Sequence, residues 1–515
     1  MNTNHYTHGV VLQAGTISNL AEATEIVLSW PTIGWVIFGI ILGIILGSLP
    51  GIGPLIGMAV LLPLTAPMQP GDAIIFFVSM YLGGLYGGSI AAILLNAPGT
   101  AAAAATTLDG YPMTRKGLAF DALVVSAVAS AIGGVISIIM LIAITPILTV
   151  VVLSFGSPEY FLIALLGIVM ITIVSKGSLV KGITAGVFGL MITTIGIAPM
   201  ASNFRYGFHT SLFDGIEFVA VLIGLFAVTE MFRLASEQGG IARGASDISG
   251  DVRTGIISVI RNPRTIGKSS LIGISIGAMP GAGSSIANFI AYAEALRSDE
   301  DPGSYGTGND RGVMSSEASN SASGAGSLIP TLSFGIPGSA TAAVLLGALL
   351  MHGLQPGPSL FSSEIVTTYS FFIAMLLGNI LIFIFGILLV SRAGYLTKID
   401  TNLLIPIILV FAIFGAFAVR LNWVDILSVF VFGVLGFFLV KHDYSIIAFI
   451  LGVVLGPIAE INLYRSLQIS DGSVMIFLDP IGRPISFILV ILIFLMLFMP
   501  IIQWFRDSDR VAQIS

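Results

Sequence analysis

The 515-residue chain contains no cysteine, which excludes disulfide frameworks, thiolate metal sites and cysteine nucleophiles. Charge is almost as scarce. Asp, Glu, Lys and Arg make up 9% of the residues, against about 25% in soluble globular domains, and so little charge cannot cover a protein surface with groups that hold water. The formal net charge of −6 offers no cationic face to nucleic acid. His5, His8, His209, His352 and His442 are too scattered for a metal centre. No Gly-x-x-x-x-Gly-Lys-Ser/Thr occurs, which argues against direct ATP drive, and Gly51, Gly53 and Gly57 are spaced one residue too widely for a dinucleotide fingerprint. No acid, base or metal constellation marks the chain as an enzyme, and no cofactor is expected beyond a coupling Na+. Residues 1–25 hold no Lys or Arg, lack the basic start of a signal peptide, and read as a short exposed tail.

What the chain has is apolar length: 56% of its residues are hydrophobic. The runs Ile26–Ser48, Leu123–Phe155, Tyr160–Val174, Phe213–Met231, Phe371–Val390, Leu403–Val419, Ile426–Val440 and Ile485–Trp504 are mostly near the ~20 residues a helix needs to cross a bilayer. They are too long and too uniformly apolar for barrel strands, which alternate over about 10 residues. The expected fold is an all-α polytopic membrane protein of about 10–14 spans. The polar stretch Arg233–Lys268 carries six basic residues (Arg233, Arg243, Arg253, Arg261, Arg264, Lys268) against Glu237, Asp247 and Asp251, and the positive-inside bias places it in the cytoplasm. It divides a first membrane half, 26–232, from a second, 269–505, followed by a tail at 506–515.

The halves repeat each other. Gly47-Ser-Leu-Pro-Gly-Ile-Gly53 returns as Gly277-Ala-Met-Pro-Gly-Ala-Gly283, an offset of 230 (277 − 47). Asn96-Ala-Pro-Gly-Thr100 returns as Gly335-Ile-Pro-Gly-Ser339, an offset of 239 (335 − 96). Two matches in order argue for an internal repeat, and transporters built from repeats bind their substrate where the repeats meet. Whether this repeat is inverted stays open at this level.

Proline and glycine inside an apolar region break its helices. Broken backbone in a membrane is tolerated only where it is buried in protein or lines a wet cavity. The half-helix that starts after Gly51 and Gly53, and the one after Gly281 and Gly283, each present free amides that suit an anion. Ser284, Ser285 and Asn288 add neutral groups able to hydrogen-bond a carboxylate. The competing reading of each motif is a plain kink or tight turn. The second pair of breaks sets Asn96, Gly99 and Thr100 in one half against Gly338, Ser339 and Thr341 in the other, an oxygen-rich set suited to a coupling cation such as Na+, or else a loop cap. Glu317–Gly326 reads as a re-entrant, cavity-lining segment with Asn320 and Ser321 as substrate contacts, and Glu317 reads more simply as a helix-start acid or loop charge. The remaining ionisable suspects at apolar segments are Asp109, in a turn-like Asp-Gly-Tyr-Pro, Glu230, Glu294, Asp425 and Glu460.

With Tyr-Gly-Gly-Ser-Ile (86–90), Leu-Asp-Gly-Tyr-Pro (108–112) and His-Gly-Leu-Gln-Pro-Gly-Pro (352–358) added to these motifs, the chain resembles the large membrane subunit of the tripartite tricarboxylate transporter family from about Gly43 to Glu460. The resemblance implies a multi-pass cytoplasmic-membrane permease for di- or tricarboxylates, driven by a Na+ or H+ gradient. It also implies a small membrane subunit and an extracytoplasmic solute-binding protein as partners, and a transport site at the Pro-Gly breaks and the Glu-x-x-Asn region. Two departures from the family pattern, Ser321 in place of Asn and Ala101 in place of Pro, bear on substrate choice. The alternative reading is a passive channel or exporter of carboxylates.

Overall fold

The computed structural model describes residues 4–49, 51–174, 179–200, 203–236, 250–280, 283–396 and 401–512. The chain enters through α1 (Asn4–Leu28), α2 (Thr32–Gly47), α3 (Gly53–Leu61) and α4 (Pro70–Leu95). A 3-10 turn at Ala101–Ala104 leads to α5 (Thr107–Arg115), α6 (Ala119–Leu153), α7 (Ser157–Val174) and α8 (Leu179–Ile192). A small antiparallel hairpin pairs Gly196 with Arg205 and Ile197 with Phe204. Next, α9 (Phe218–Leu222) runs through a π-helical stretch into α10 (Thr229–Ser236). The second half brings α11 (Val252–Arg261), α12 (Pro263–Gly277), α13 (Gly283–Arg297), α14 (Asp310–Phe334) and α15 (Ala340–Met351). The chain closes with α16 (Ile365–Leu389), α17 (Ala393–Leu396), α18 (Thr401–Arg420), α19 (Trp423–Lys441), α20 (Ile446–Ile469) and α21 (Pro484–Ala512).

Among the described residues, six helices are long and apolar enough to span a bilayer, seven if a bent pair counts as one span, alongside shorter apolar helices. Polarity is arranged inside out. Ile139, Ile147, Phe414 and Leu495 lie open on the outer surface, whereas Ser130, Ser316, Glu317, Asn320 and Asn379 are sealed inside. Lipid is the solvent that rewards this distribution, and the chain is an all-α polytopic membrane protein.

Small residues set the packing of the two halves, and the same contacts recur at the offsets read from the motifs. A methyl at Gly43 would fall 2.3 Å from the Met80 carbonyl oxygen, and one at Gly273 would fall 2.5 Å from that of Ser319. Gly47 stands in the same relation to Gly84 as Gly277 to Ser323, and Gly87 to Ile44 as Gly326 to Ile274. Thus α2 lies against α4 as α12 lies against α14, backbone to backbone, the contact that glycine and serine permit between membrane helices. The helices α4 and α14 then cross each other antiparallel. Leu85 meets Asn320 and Tyr81 meets Gly324, and adding 239 to 85 and 81 gives 324 and 320. The contacts of this crossing therefore recur under the same offset.

Several expectations are corrected. The run Ile26–Ser48 is two helices, with 72° between the Gly15–Leu28 and Thr32–Gly47 segments, because Pro31 cannot continue a helix through its missing amide. The amino-terminal residues are helical from Asn4, and Ala23 and Val27 are buried, so the stretch is no simple tail. The linker contains α11, while 237–249 lie outside the described residues. The Glu317–Gly326 segment is no loop: it is the middle of α14, which is buried from Gly312 to Leu328, small side chains letting α6 approach until a methyl at Gly133 would lie 2.6 Å from the Ala318 backbone. Asp109 sits in α5, not in a turn.

Candidate functional site

Each half begins with a break that only glycine accommodates readily. The helices α3 and α13 start at Gly53 and Gly283 with φ of +60° and +66°, and Gly51 precedes the first with +85°. Side chains rarely adopt this left-handed backbone. New helices thus start after α2 and α12, and their first amides have no intrahelical acceptor, although that of Gly53 reaches the Leu49 carbonyl at 3.5 Å. Ser284 and Asn288 are buried on α13 and Ser285 is half-buried. Gly281 lies outside the described residues.

The second breaks fold back onto the first. Asn96 and Gly335, one repeat apart, both end their helices in the left-handed conformation. Gly99 donates its amide to the Gly88 carbonyl at 3.1 Å and lies against the Gly47 carbonyl. Gly338 lies against Gly277 and Ser327. A methyl at Gly53 would stand 3.0 Å from the Gly99 carbonyl oxygen, so both breaks of the first half are in contact. Thr100 and Ser339 cap the elements that follow, accepting the Ala103 and Ala342 amides at 3.3 and 3.1 Å. Asn96 is exposed and Thr341 is half-buried at the start of α15.

Tyr81 joins the halves. Its hydroxyl, buried on α4, stands 3.2 Å from both Ser327 Oγ and Ser339 Oγ, with the Ser284 hydroxyl also in reach. One phenol therefore touches α14, the second break and the start of α13. Across the same crossing Asn320 Nδ2 donates to the Leu85 carbonyl at 3.3 Å, and Asn288 Nδ2 donates to the Ala102 carbonyl at 2.7 Å. Ser321 is buried next to Asn320. Sequence reasoning passed over Tyr81 because it sits in an apolar run. The register that pairs Gly99 with Gly338 also pairs Tyr81 with Asn320, and that signal was available.

Most ionisable suspects have partners. Glu230 pairs with Arg233, Glu294 with Lys268 at 3.0 Å and Arg297 at 2.8 Å, Glu460 with Arg205 at 2.7 Å, and Asp425 with Arg420 at 2.5 Å. Asp109 accepts the Gly308 and Asn309 amides and the Tyr292 hydroxyl, each at 2.8 Å, and so ties α5 to the start of α14. Gly273-Ile-Ser-Ile-Gly277 has the spacing of a serine nucleophile elbow, but it lies inside α12 with both glycines engaged in packing. Glu317, like Asp109, has no basic partner among the described residues. It is buried in mid-helix, accepts hydroxyls from Thr106 and Ser130, and takes part in none of the ion pairs among the described residues. No group of three or more metal-ligating side chains occurs among the described residues.

Residues 33–451 match the family described as the tripartite tricarboxylate transporter TctA family. A relative from Agrobacterium vitis, described as an uncharacterized 52.8 kDa protein in the TAR-I ttuC' 3' region, is 33% identical over 474 residues, covering 90% of this chain and 93% of its own. A second from the same organism, in the TAR-II ttuC' 3' region, is 30% identical over 237 residues, 46% of this chain and 98% of its own. No solved structure matches the chain.

Proposed function

This chain belongs to the tripartite tricarboxylate transporter TctA family, and from that premise we propose that it is the substrate-translocating subunit of a secondary active transporter. It moves di- or tricarboxylates across the cytoplasmic membrane, driven by a Na+ or H+ gradient, and works with a small membrane subunit and an extracytoplasmic binding protein. The basic linker 233–268 faces the cytoplasm.

The observation that carries this reading is the meeting of both breaks of the second half at Tyr81, a residue of the first half. The start of α13 and the second break of its own half converge on a helix of the other half. Substrate carboxylates bind the amides of Leu55 and Ile56 in α3, since Pro54 has none and Gly53 donates to the Leu49 carbonyl, and the first amides of α13, where the helix dipole favours negative charge, with Ser284 and Ser285 supplying neutral donors. A fixed lysine or arginine would have to be desolvated in the unloaded state, whereas helix amides hold partial charge at no such cost. Because α4 and α14 cross antiparallel, rocking one half against the other exchanges the two faces of the site, as in transporters with inverted repeats.

The test is uptake of labelled citrate and malate into proteoliposomes containing the chain and its partner subunits, with Na+ or H+ gradients imposed in turn. Saturable, gradient-driven uptake with counterflow is expected. Non-saturable flux indifferent to both gradients overturns the carrier in favour of a channel. Gly283→Ala and Gly283→Asn sharpen it. A methyl at Gly283 meets nothing within 4 Å, so alanine introduces only left-handed strain, about 1–2 kcal/mol, which asparagine tolerates better. Uptake should fall in alanine and recover in part in asparagine.

A further inference from the structure

We infer that Glu317, Ser126 and Asn320 form a buried oxygen site for a single sodium ion where α14 meets α4 and α6. The inference rests on the transporter reading above and gives its coupling cation a position.

An ionised carboxylate sealed from water and from Lys, Arg or His is strongly disfavoured unless a cation accompanies it. Glu317 is wholly buried. Its Oε2 accepts the Ser130 hydroxyl at 2.9 Å and its Oε1 accepts the Thr106 hydroxyl. The hydroxyls of Ser89, on α4, and Ser126, one helical turn before Ser130 on α6, face the same carboxylate, as does the Tyr86 phenol. This surround supplies oxygen and no positive charge.

One oxygen nearby, Asn320 Oδ1, lacks a hydrogen-bond partner among the described residues although its side chain is fully buried, and the buried Ser126 hydroxyl has the Glu317 carboxylate as its neighbour. Asn320 lies three residues beyond Glu317, on the same face of α14. Its amide nitrogen is fixed on the Leu85 carbonyl, which sets the amide oxygen as the free end. Leu85 is one turn before Ser89 on α4, so Asn320 and Glu317 face consecutive turns of one helix. Buried acceptors without donors are rare and costly. One proton would satisfy a single acceptor, whereas a cation serves several oxygens together. Carboxylate, hydroxyl and amide oxygens select a hard cation, and the lone carboxylate balances one positive charge, which fits Na+ and leaves a divalent ion overcharged. The breaks at Asn96–Thr100 and Gly338–Thr341 suit the ion less well, since Thr100 and Ser339 already cap helices and Asn96 is exposed.

The experiment is thermal unfolding of the purified full-length chain in detergent, titrated with sodium chloride against choline and potassium chlorides at constant ionic strength and pH. The unfolding midpoint should rise saturably with sodium alone. E317Q should abolish the response, and S126A should raise the half-saturating sodium concentration about tenfold. Should E317Q fail to fold, S126A, which removes one hydroxyl, decides by itself. A sodium response retained unchanged in these variants overturns the site, as does a wild-type midpoint that follows pH and ignores sodium. Sodium binding by this site with uptake indifferent to sodium gradients would keep the site and overturn sodium coupling. Sodium-driven uptake with an unaltered response in E317Q and S126A would do the reverse.

Discussion

A methyl group at Gly99 would stand 2.0 Å from the carbonyl oxygen of Gly47, so the second break of the first half rests directly on the end of α2. In the second half the equivalent methyl at Gly338 would be 2.9 Å from the Gly277 carbonyl and 2.8 Å from Ser327 Cα. The contact has the same form in both places and is looser in the second.

The looser contact predicts unequal mutants. Gly99→Ala must displace backbone, because the obstructing atom is a carbonyl oxygen and not the end of a flexible side chain. Its cost should reach the upper end of the ~1–3 kcal/mol typical of overpacking, with uptake lost. Gly338→Ala also meets backbone, but at 2.8–2.9 Å and not 2.0 Å, so it needs a smaller shift and should cost less. Thermal unfolding midpoints of the two variants, measured side by side, check the order. Equal midpoints would show that the two breaks pack alike.

Much of this architecture was legible because proline and glycine act through local backbone chemistry that needs no knowledge of neighbours. Gly53 and Gly283 were read as helix starts, and they are. What escaped notice depends on who sits opposite. Tyr81 looks like one more aromatic in an apolar run, and only the crossing of α4 with α14 gives its hydroxyl three serine neighbours. Glu317 looked bland because a polar, small-residue stretch resembles a loop. The same residues let other helices pack tightly enough to bury it. Conversely, Glu230, Glu294, Asp425 and Glu460 stood out by charge, yet each has a basic neighbour that satisfies it.

Tyr81→Phe should separate function from stability. Ser327 also donates to the Gly324 carbonyl at 2.8 Å, and Ser339 keeps the Ala342 amide. Removal of the phenol oxygen therefore orphans neither serine, and the loss should be near the low end of the hydrogen-bond range, about 0.5 kcal/mol. Uptake should nevertheless fall about tenfold, the equivalent of a further 1.4 kcal/mol, because this hydroxyl ties one half's helix to the other half's breaks. Initial uptake rates normalised to folded protein test this. An unchanged rate would make Tyr81 a packing residue only.

Asp109 should behave as a structural anchor. Asp109→Ala leaves the Gly308 and Asn309 amides without their acceptor, a charged-group loss of about 1.5–3 kcal/mol. Asp109→Asn keeps one oxygen for those amides and should recover part of the loss. Tyr292→Phe, which removes a single donor at 2.8 Å, should be mildest. Yield of monodisperse protein and melting temperature should rank the variants in that order.

The segment between α13 and α14 should loosen in acid. Burial pushes the Asp299 carboxyl upward, but the Arg311 guanidinium at 2.9 Å, the Tyr305 hydroxyl at 2.8 Å and the Asp301 amide outweigh it and hold the group below its ordinary value of 3.8. A carboxyl depressed in the folded state stabilises above its unfolded value, and that contribution disappears as pH falls through the folded value. Hydrogen exchange of the amides in residues 298–309, corrected for intrinsic rates, should therefore be level above about pH 5 and quicken below the ordinary carboxylate value. Asp299→Asn cannot carry the charge, so its exchange should already be faster at neutral pH and should lose most of this acid dependence. If Asp299→Asn keeps the wild-type profile, another carboxylate governs the segment.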